Sequence, residues 1–241
     1  MSKGVRKLDQ ETIHRNVNGG WLRPAVFGAM DGLVSNFALM IGVAGGTKAV
    51  GVESTTAIVL AGFAGLLAGA FSMAAGEYTS VASQAELAMA EIELEKKEIT
   101  ENLDEEIKEL AQVWIERGVS KDVALQFSRE LSMNSEAFIN AHSSEEFGVT
   151  SNDLPSAKLA AISSFLSFGF GATVPLIPFM FGASDILYSM VISLIGLFAV
   201  GAAVSLVTTR TWWYSGTRQL LIGSGAAAVT WFLGTSIGGA L

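Results

Sequence analysis

The sequence predicts an all-α polytopic membrane protein with five transmembrane helices and a three-helix cytoplasmic insertion between the second and third. Three observations carry this. Half of the 241 residues are hydrophobic, and the mean hydropathy is +0.45. Only 16% are charged, where an ordinary soluble domain has about 25%. The charge is also segregated: residues 86–153 hold seventeen acidic and six basic side chains, a net charge of −11 against −8 for the whole chain. A chain with one apolar and one acidic phase accounts for this better than a single globule.

A helix needs roughly 20 apolar residues to cross a bilayer. Five segments meet this, at about 22–46, 55–78, 158–181, 184–208 and 219–241. Pro24 stands at the start of the first, where a missing N–H is harmless. Pro175 and Pro178 lie inside the third and should kink it.

Orientation follows from the basic residues. Lys3, Arg6, Lys7, Arg15 and Arg23 cluster at the start of the first span, and Arg210 and Arg218 bracket the loop before the fifth. The first loop has only Lys48, and the loop between spans three and four has no Lys or Arg. Five crossings then place the N-terminus, the acidic insertion and the last loop in the cytoplasm. The division expected is a cytoplasmic N-terminal segment (1–21), transmembrane helices one and two (22–85), an acidic helical metal-binding domain (86–154) and transmembrane helices three to five (155–241). The polar, basic N-terminus has no apolar core, so no cleavable signal is expected. A prokaryotic plasma (inner) membrane suits this pattern, and a vacuolar membrane would leave a similar one.

Cysteine is absent, which removes disulfides and thiolate metal sites. The two histidines, His14 and His142, are too few for a His-rich site. Gly65–Gly69 and Gly234–Gly238 have GxxxG spacing, a hint of close helix packing and of a dimer.

The insertion is rich in Ala, Leu, Glu, Lys and Gln and predicts helices at about 79–100, 103–117 and 121–141. Asn102 and Glu105 have the spacing of an N-cap and its N3 partner. Gly118 looks like a C-terminal stop, and Ser120 like the next cap. On a helical projection Glu95, Glu98, Glu106 and Glu109 share an arc of about 80°, joined by Glu91. Lys96 and Lys97 are too few to neutralise the stripe, and like charges three or four residues apart repel. The stripe is either a solvated face or one that holds cations. On one straight helix Glu95 and Glu109 would stand about 21 Å apart. A shared ion therefore requires a break near Asn102. His142, Glu145 and Glu146, at the end of the third helix, stand where they would close such a site.

Two acids lie within apolar spans, Asp31 in the first and Glu77 near the end of the second. An Asp at a helix centre costs about 2.5–3.5 kcal/mol on insertion scales, and no Lys or Arg lies deep in a span to neutralise it. Ser35 follows Asp31 by four residues, and Met73 precedes Glu77 by four, so each pair shares a helix face. A carboxylate beside a thioether favours Fe²⁺, Co²⁺ or similar ions over Mg²⁺ and Ca²⁺. A pathway carboxylate can also hold a proton, a simple basis for metal/proton exchange.

The residues Ala29-Met-Asp-Gly-Leu-Val-Ser35 and Phe71-Ser-Met-Ala-Ala-Gly-Glu-Tyr78 resemble two motifs of the vacuolar iron transporter family. Lys-Lys-Glu-Ile from 96, Glu-Arg-Gly at 116–118 and Glu-Glu-Phe-Gly at 145–148 fit its cytoplasmic insertion. The resemblance covers nearly the whole chain from Trp21 and suits a bacterial-type member. It implies a homodimer of five-span protomers with the ion path at their interface, exporting Fe²⁺ or Mn²⁺ from the cytosol in exchange for protons. It implies Asp31 and Met73 as pathway ligands, Glu77 in the pathway or in proton coupling, and Glu95, Glu98, Glu106, Glu109 and Glu146 as metal ligands below the pore. Met30 stands where Asn is usual before the Asp. His142-Ser143 stands where some members have a Met pair, which bears on metal preference.

The expected partners are divalent metal ions, protons, the lipid bilayer and a second copy of the chain, with no nucleic acid. Fe²⁺ or Mn²⁺ is expected as transported and regulatory ion, and no cofactor. A membrane-anchored metal sensor and a passive metal channel are the alternatives. An enzyme is not expected: di-iron bundles need two Glu-x-x-His pairs, and the two histidines do not supply them.

Overall fold

The computed structural model describes residues 21–52, 54–148, 154–206, 208 and 210–240. The basic side chains Lys3, Arg6, Lys7 and Arg15, and His14, lie outside the described residues. The described chain is helical: α1 (Leu22–Ala49), α2 (Thr55–Glu116), α3 (Lys121–Ser132), α4 (Ser135–Glu146), α5 (Ala157–Thr173), a 3₁₀ turn (Val174–Leu176), α6 (Ile177–Met180), α7 (Ile186–Val204) and α8 (Trp212–Gly238). Among the described residues five helical stretches are long and apolar enough to cross a membrane: α1, α2, α5 through α6, α7 and α8. Helices α3 and α4 lie between the second and third of these, and the chain is a multi-pass membrane protein.

The 62 residues of α2 make a helix about 93 Å long, roughly three times the ~30 Å hydrocarbon core. Its first third is apolar, and the rest carries the acidic residues out of the membrane. The backbone leaves helical geometry at Asn102 (φ −138°, ψ 43°), the residue where the sequence predicts a break. Gly118 ends the helical run at φ +97°, a left-handed conformation that a Cβ disfavours. The single helix expected at 121–141 is two. Its interruption lies at Met133–Asn134, where the Asn134 side chain accepts from the N–H of Ala137 at 3.1 Å and starts α4 afresh. Pro175 and Pro178 break the third span into α5, the 3₁₀ turn and α6. Arg218 sits inside α8, which starts at Trp212 rather than near 219.

Helix α1 is the spine of the membrane body. Its Gly28, Gly32 and Asn36 meet Ser164, Phe168 and Ala172 of α5 in that order, and its Gly42 and Gly46 meet Thr230 and Gly234 of α8. The three helices therefore run in the same direction. Asn36 and Met40 meet Gly65 and Gly62, so α2 runs against α1, and Leu197 and Gly201 meet Gly223 and Gln219, so α7 runs against α8. Alternating directions are what five successive crossings require.

The close contacts depend on missing side chains. A Cβ at Gly171 would strike the Ala29 carbonyl, and one at Gly32 the Phe168 carbonyl. Both GxxxG patterns are used inside the chain: Gly234 and Gly238 pack on Gly42 and Gly46 of α1, and Gly65 and Gly69 face Asn36, Leu39 and Phe168. They therefore lend no support to a dimer. Around the glycines, Leu33, Phe37, Ile41 and Leu197 form one buried cluster, and Met40, Ile58 and Leu176 another.

Gly171→Ala should destabilise the fold by about 1–3 kcal/mol, because backbone cannot move aside as a side chain can. Gly225 has nothing within 4 Å of an added Cβ, and Gly225→Ala should be neutral or gain up to about 1 kcal/mol of helix propensity. Thermal melting in detergent micelles compares the two. Equal melting temperatures would contradict this packing.

Candidate metal centre and membrane cavity

Outside the membrane body, the bend at Asn102 and the return of α4 bring four side chains together. His142 of α4 is 1% exposed, and its ring packs edge-on against Phe138 at 4.7 Å between centroids. Its Nε2 lies 3.1 Å from the backbone oxygen of Glu106. A carbonyl oxygen only accepts, so Nε2 carries the hydrogen and donates. Burial holds the imidazole pKa below its ordinary value, with Glu106 and Glu109 opposing, which favours the neutral ring, whose Nδ1 presents a lone pair. That lone pair faces carboxylates: Glu95 Oε1 at 2.9 Å, Glu146 Oε1 at 3.6 Å and Glu106 Oε2 at 3.9 Å.

The bend makes this convergence. Along a straight helix Glu95 and Glu106 would be separated by about 16 Å of rise, yet one carboxylate oxygen of each lies within 3.9 Å of the same nitrogen. Glu95 is 3% exposed, and its Oε1 has no hydrogen-bond donor among the described residues. Burial and the charges of Glu146, Glu106, Glu98 and Glu109 raise its pKa to about 7. Burial, then Glu109, Glu98 and Glu146, push Glu106 up against the opposing pull of His142. Burial, Glu109 and Glu98 push Glu146 up. A proton on Glu95 or a divalent cation between the groups would each relieve the repulsion. Glu95, His142 and Glu146 each offer one ligand atom, all within 4.8 Å of one another. The Nε2–H bond to a backbone carbonyl is the usual way a metal-binding imidazole is oriented.

Three nearby basic residues are engaged elsewhere. Lys96 pairs with Glu93, Lys97 with Glu101 at 3.9 Å, and Arg117 with Glu145. The Arg117 guanidinium grips both Glu145 oxygens and stacks on Trp114 at 5.2 Å. Glu145, expected from the sequence near the site, is thus drawn away from it. Glu98 and Glu109 are exposed and act on Glu95 through their charge.

Inside the membrane body a cavity of about 420 Å³ lies between α1, α2 and α5. Asp31, Ser35, Met73 and Glu77 all line it, as do Asn36 and Ser72. The expected pathway residues thus share one space. Among the described residues no basic group pairs with Asp31 or Glu77. Asn36 escaped the sequence reading. It is 2% exposed and donates from Nδ2 to the Ala172 carbonyl at 2.6 Å. Glu77 and Glu95 are eighteen residues apart on α2, which places the cluster about 27 Å from the cavity.

The raised pKa of Glu95 sets a pH dependence for the cluster. Metal binding needs the carboxylate deprotonated, so affinity falls as pH drops through about 7. Burial lowers the His142 pKa, which favours the neutral, metal-binding form of the ring. Titration of the detergent-solubilised chain with Mn²⁺, read by electron paramagnetic resonance, should give about tenfold weaker binding at pH ~6 than at ~8, and Glu95→Gln should flatten the dependence. A pH-independent affinity in the native chain would contradict the geometry.

The VIT family profile matches residues 22–235, which include both sites. The chain is 27% identical over 235 residues to vacuolar iron transporter 1 of Eucalyptus grandis, covering 96% of this chain and 92% of that protein. It is 27% identical to the vacuolar iron transporter of Centaurea cyanus over 92% of this chain and 89% of that one. Against vacuolar iron transporter 1 of Arabidopsis thaliana it is 27% identical over 94% of this chain and 90% of the relative. With a match that runs through all five membrane helices and the segment between the second and third, this chain belongs to the VIT family.

Proposed function

We propose that the protein carries a divalent transition-metal ion, Fe²⁺ or Mn²⁺, out of the cytosol in exchange for protons. The observation that carries this reading is the convergence of Asp31, Met73 and Glu77 on one membrane cavity with no basic partner among the described residues. Uncompensated carboxylates in a bilayer are costly and mark ion paths. The near full-length relatives are named vacuolar iron transporters, and family membership sets the enzyme alternative aside.

The carboxylate–imidazole cluster on the extension of α2 collects the ion at the cytoplasmic side. Its ligands are Glu95, His142, Glu106 and Glu146, with Glu98 and Glu109 adding field, in the segment 86–154. Glu95 holds either a proton or a share of the metal, so cargo arrival releases protons. The ion then passes to Asp31 and Met73, whose oxygen suits either ion and whose sulfur tilts the site towards Fe²⁺. Glu77, at the mouth of the same cavity, takes up or gives back the proton. A second copy of the chain walls the cavity where it opens at the exposed face of α2, making a homodimer. The relatives' names point to a vacuolar membrane, and the expectation of a prokaryotic plasma membrane draws no support from them. A sensor has no use for ligands inside the bilayer, which favours transport over that alternative.

Reconstituted into proteoliposomes with an imposed proton gradient, the native chain should drive Fe²⁺ or Mn²⁺ flux. Asp31→Ala should lower it at least about tenfold, the loss of roughly 1.4 kcal/mol or more of pathway stabilisation, while metal binding by the insertion persists. Flux indifferent to the gradient would favour a channel. Absent flux with metal still bound would favour a sensor.

A further inference from the structure

Resting on the transport reading above, we infer that Asn36 is a pathway residue: its side-chain oxygen takes the metal ion from Asp31 and Met73 and passes it on across the membrane. The amide orientation is fixed by chemistry. The Ala172 carbonyl, 2.6 Å away, accepts only, so the amide nitrogen faces it and the oxygen faces the other way. That oxygen is buried and has no donor among the described residues. Few buried polar atoms lack a partner, and those that do call for an explanation.

The oxygen faces α2 at Gly65, beside the cavity. A Cβ built on Gly65 would lie 2.8 Å from Asn36 Oδ1, and Gly65 and Asn36 both line that space. Asn36 is five residues beyond Asp31 on α1, about 7.5 Å further along the helix axis. Glu77 marks the end of the cavity nearest the insertion, and Leu39 and Gly65 mark the other. Asn36 is therefore the last polar side chain lining the cavity on the way across.

An amide oxygen suits this place. It is a hard neutral donor that coordinates Mn²⁺ or Fe²⁺ but holds them less firmly than a carboxylate. Conduction needs sites weak enough to be left. Asp31 and Met73 capture the ion, and the Asn36 oxygen replaces lost hydration at the next step without trapping it. The amide nitrogen, tied to α5, keeps that oxygen aimed.

Metal flux is measured in proteoliposomes for the native chain, Asn36→Leu, Asn36→Asp and Gly65→Ala, with thermal melting of each. Asn36→Leu removes the oxygen and should lower the maximal rate about tenfold while leaving KM within about twofold. Asn36→Asp keeps an oxygen there, adds charge, and should lower KM several-fold together with the rate. Gly65→Ala leaves the Ala172 bond intact but crowds the oxygen, and should reduce the rate as Asn36→Leu does. Both Asn36 substitutions lose the donor to Ala172. If Asn36 only tethers α1 to α5, the two will lose flux and melting temperature alike with KM unmoved, which would overturn the inference. Native flux in a folded Gly65→Ala would overturn it as well, even where the Asn36 variants fail to fold. A native chain without flux would instead remove the transport reading, and this inference with it.

Discussion

Uncompensated negative charge on α1, α2 and α4 is the constraint around which the protein is organised. Glu95, Glu106 and Glu146 crowd around a neutral imidazole whose lone pair faces them, and Asp31 and Glu77 share a cavity within the membrane body. Lys96, Lys97 and Arg117 are held by Glu93, Glu101 and Glu145. A buried carboxylate with no counter-charge is driven to bind a proton or a cation. The raised pKa of Glu95, about 7, expresses that drive near neutral pH.

The rest of the fold serves to place these charges. Glycines let α1, α5 and α8 touch through their backbones, and the tight spine holds Asp31 and Asn36 steady beside α2. One helix carries both sites. The apolar start of α2 contributes Gly65, Met73 and Glu77 to the cavity, and its extension supplies Glu95 and Glu106 to the cluster. The bend at Asn102 converts a linear stripe of acids, which could not share an ion, into a concave site closed by α4.

Much of this was legible in the sequence because its signals are local. Apolar length gave the five spans, and Asp31 and Glu77 stood out as acids where acids are costly. The Asn102 break followed from its spacing to Glu105, and the need for it followed from the separation of Glu95 and Glu109. What was not legible depended on distant partners. Glu145 reads as a candidate ligand, and its pairing with Arg117, 28 residues away, has no local signal. Asn36 is an ordinary helical polar residue until Ala172, 136 residues on, fixes its amide. A small-residue stripe reads the same whether it faces another copy or its own chain, so Gly234–Gly238 gave no sign that α1 was its partner. The division of α3 from α4 carried only a cap signal, Asn134, without a Gly or Pro to announce it.

In the proposed centre the lone pair of His142 Nδ1 points into the carboxylate cluster and helps to hold the metal. Pulsed electron paramagnetic resonance of the Mn²⁺-loaded chain tests it most directly, because a coordinated imidazole nitrogen modulates the electron spin echo. The account predicts one strongly coupled nitrogen in the native chain, absent in His142→Ala. Metal bound at full occupancy with no nitrogen coupling, or a coupling that survives His142→Ala, would contradict it.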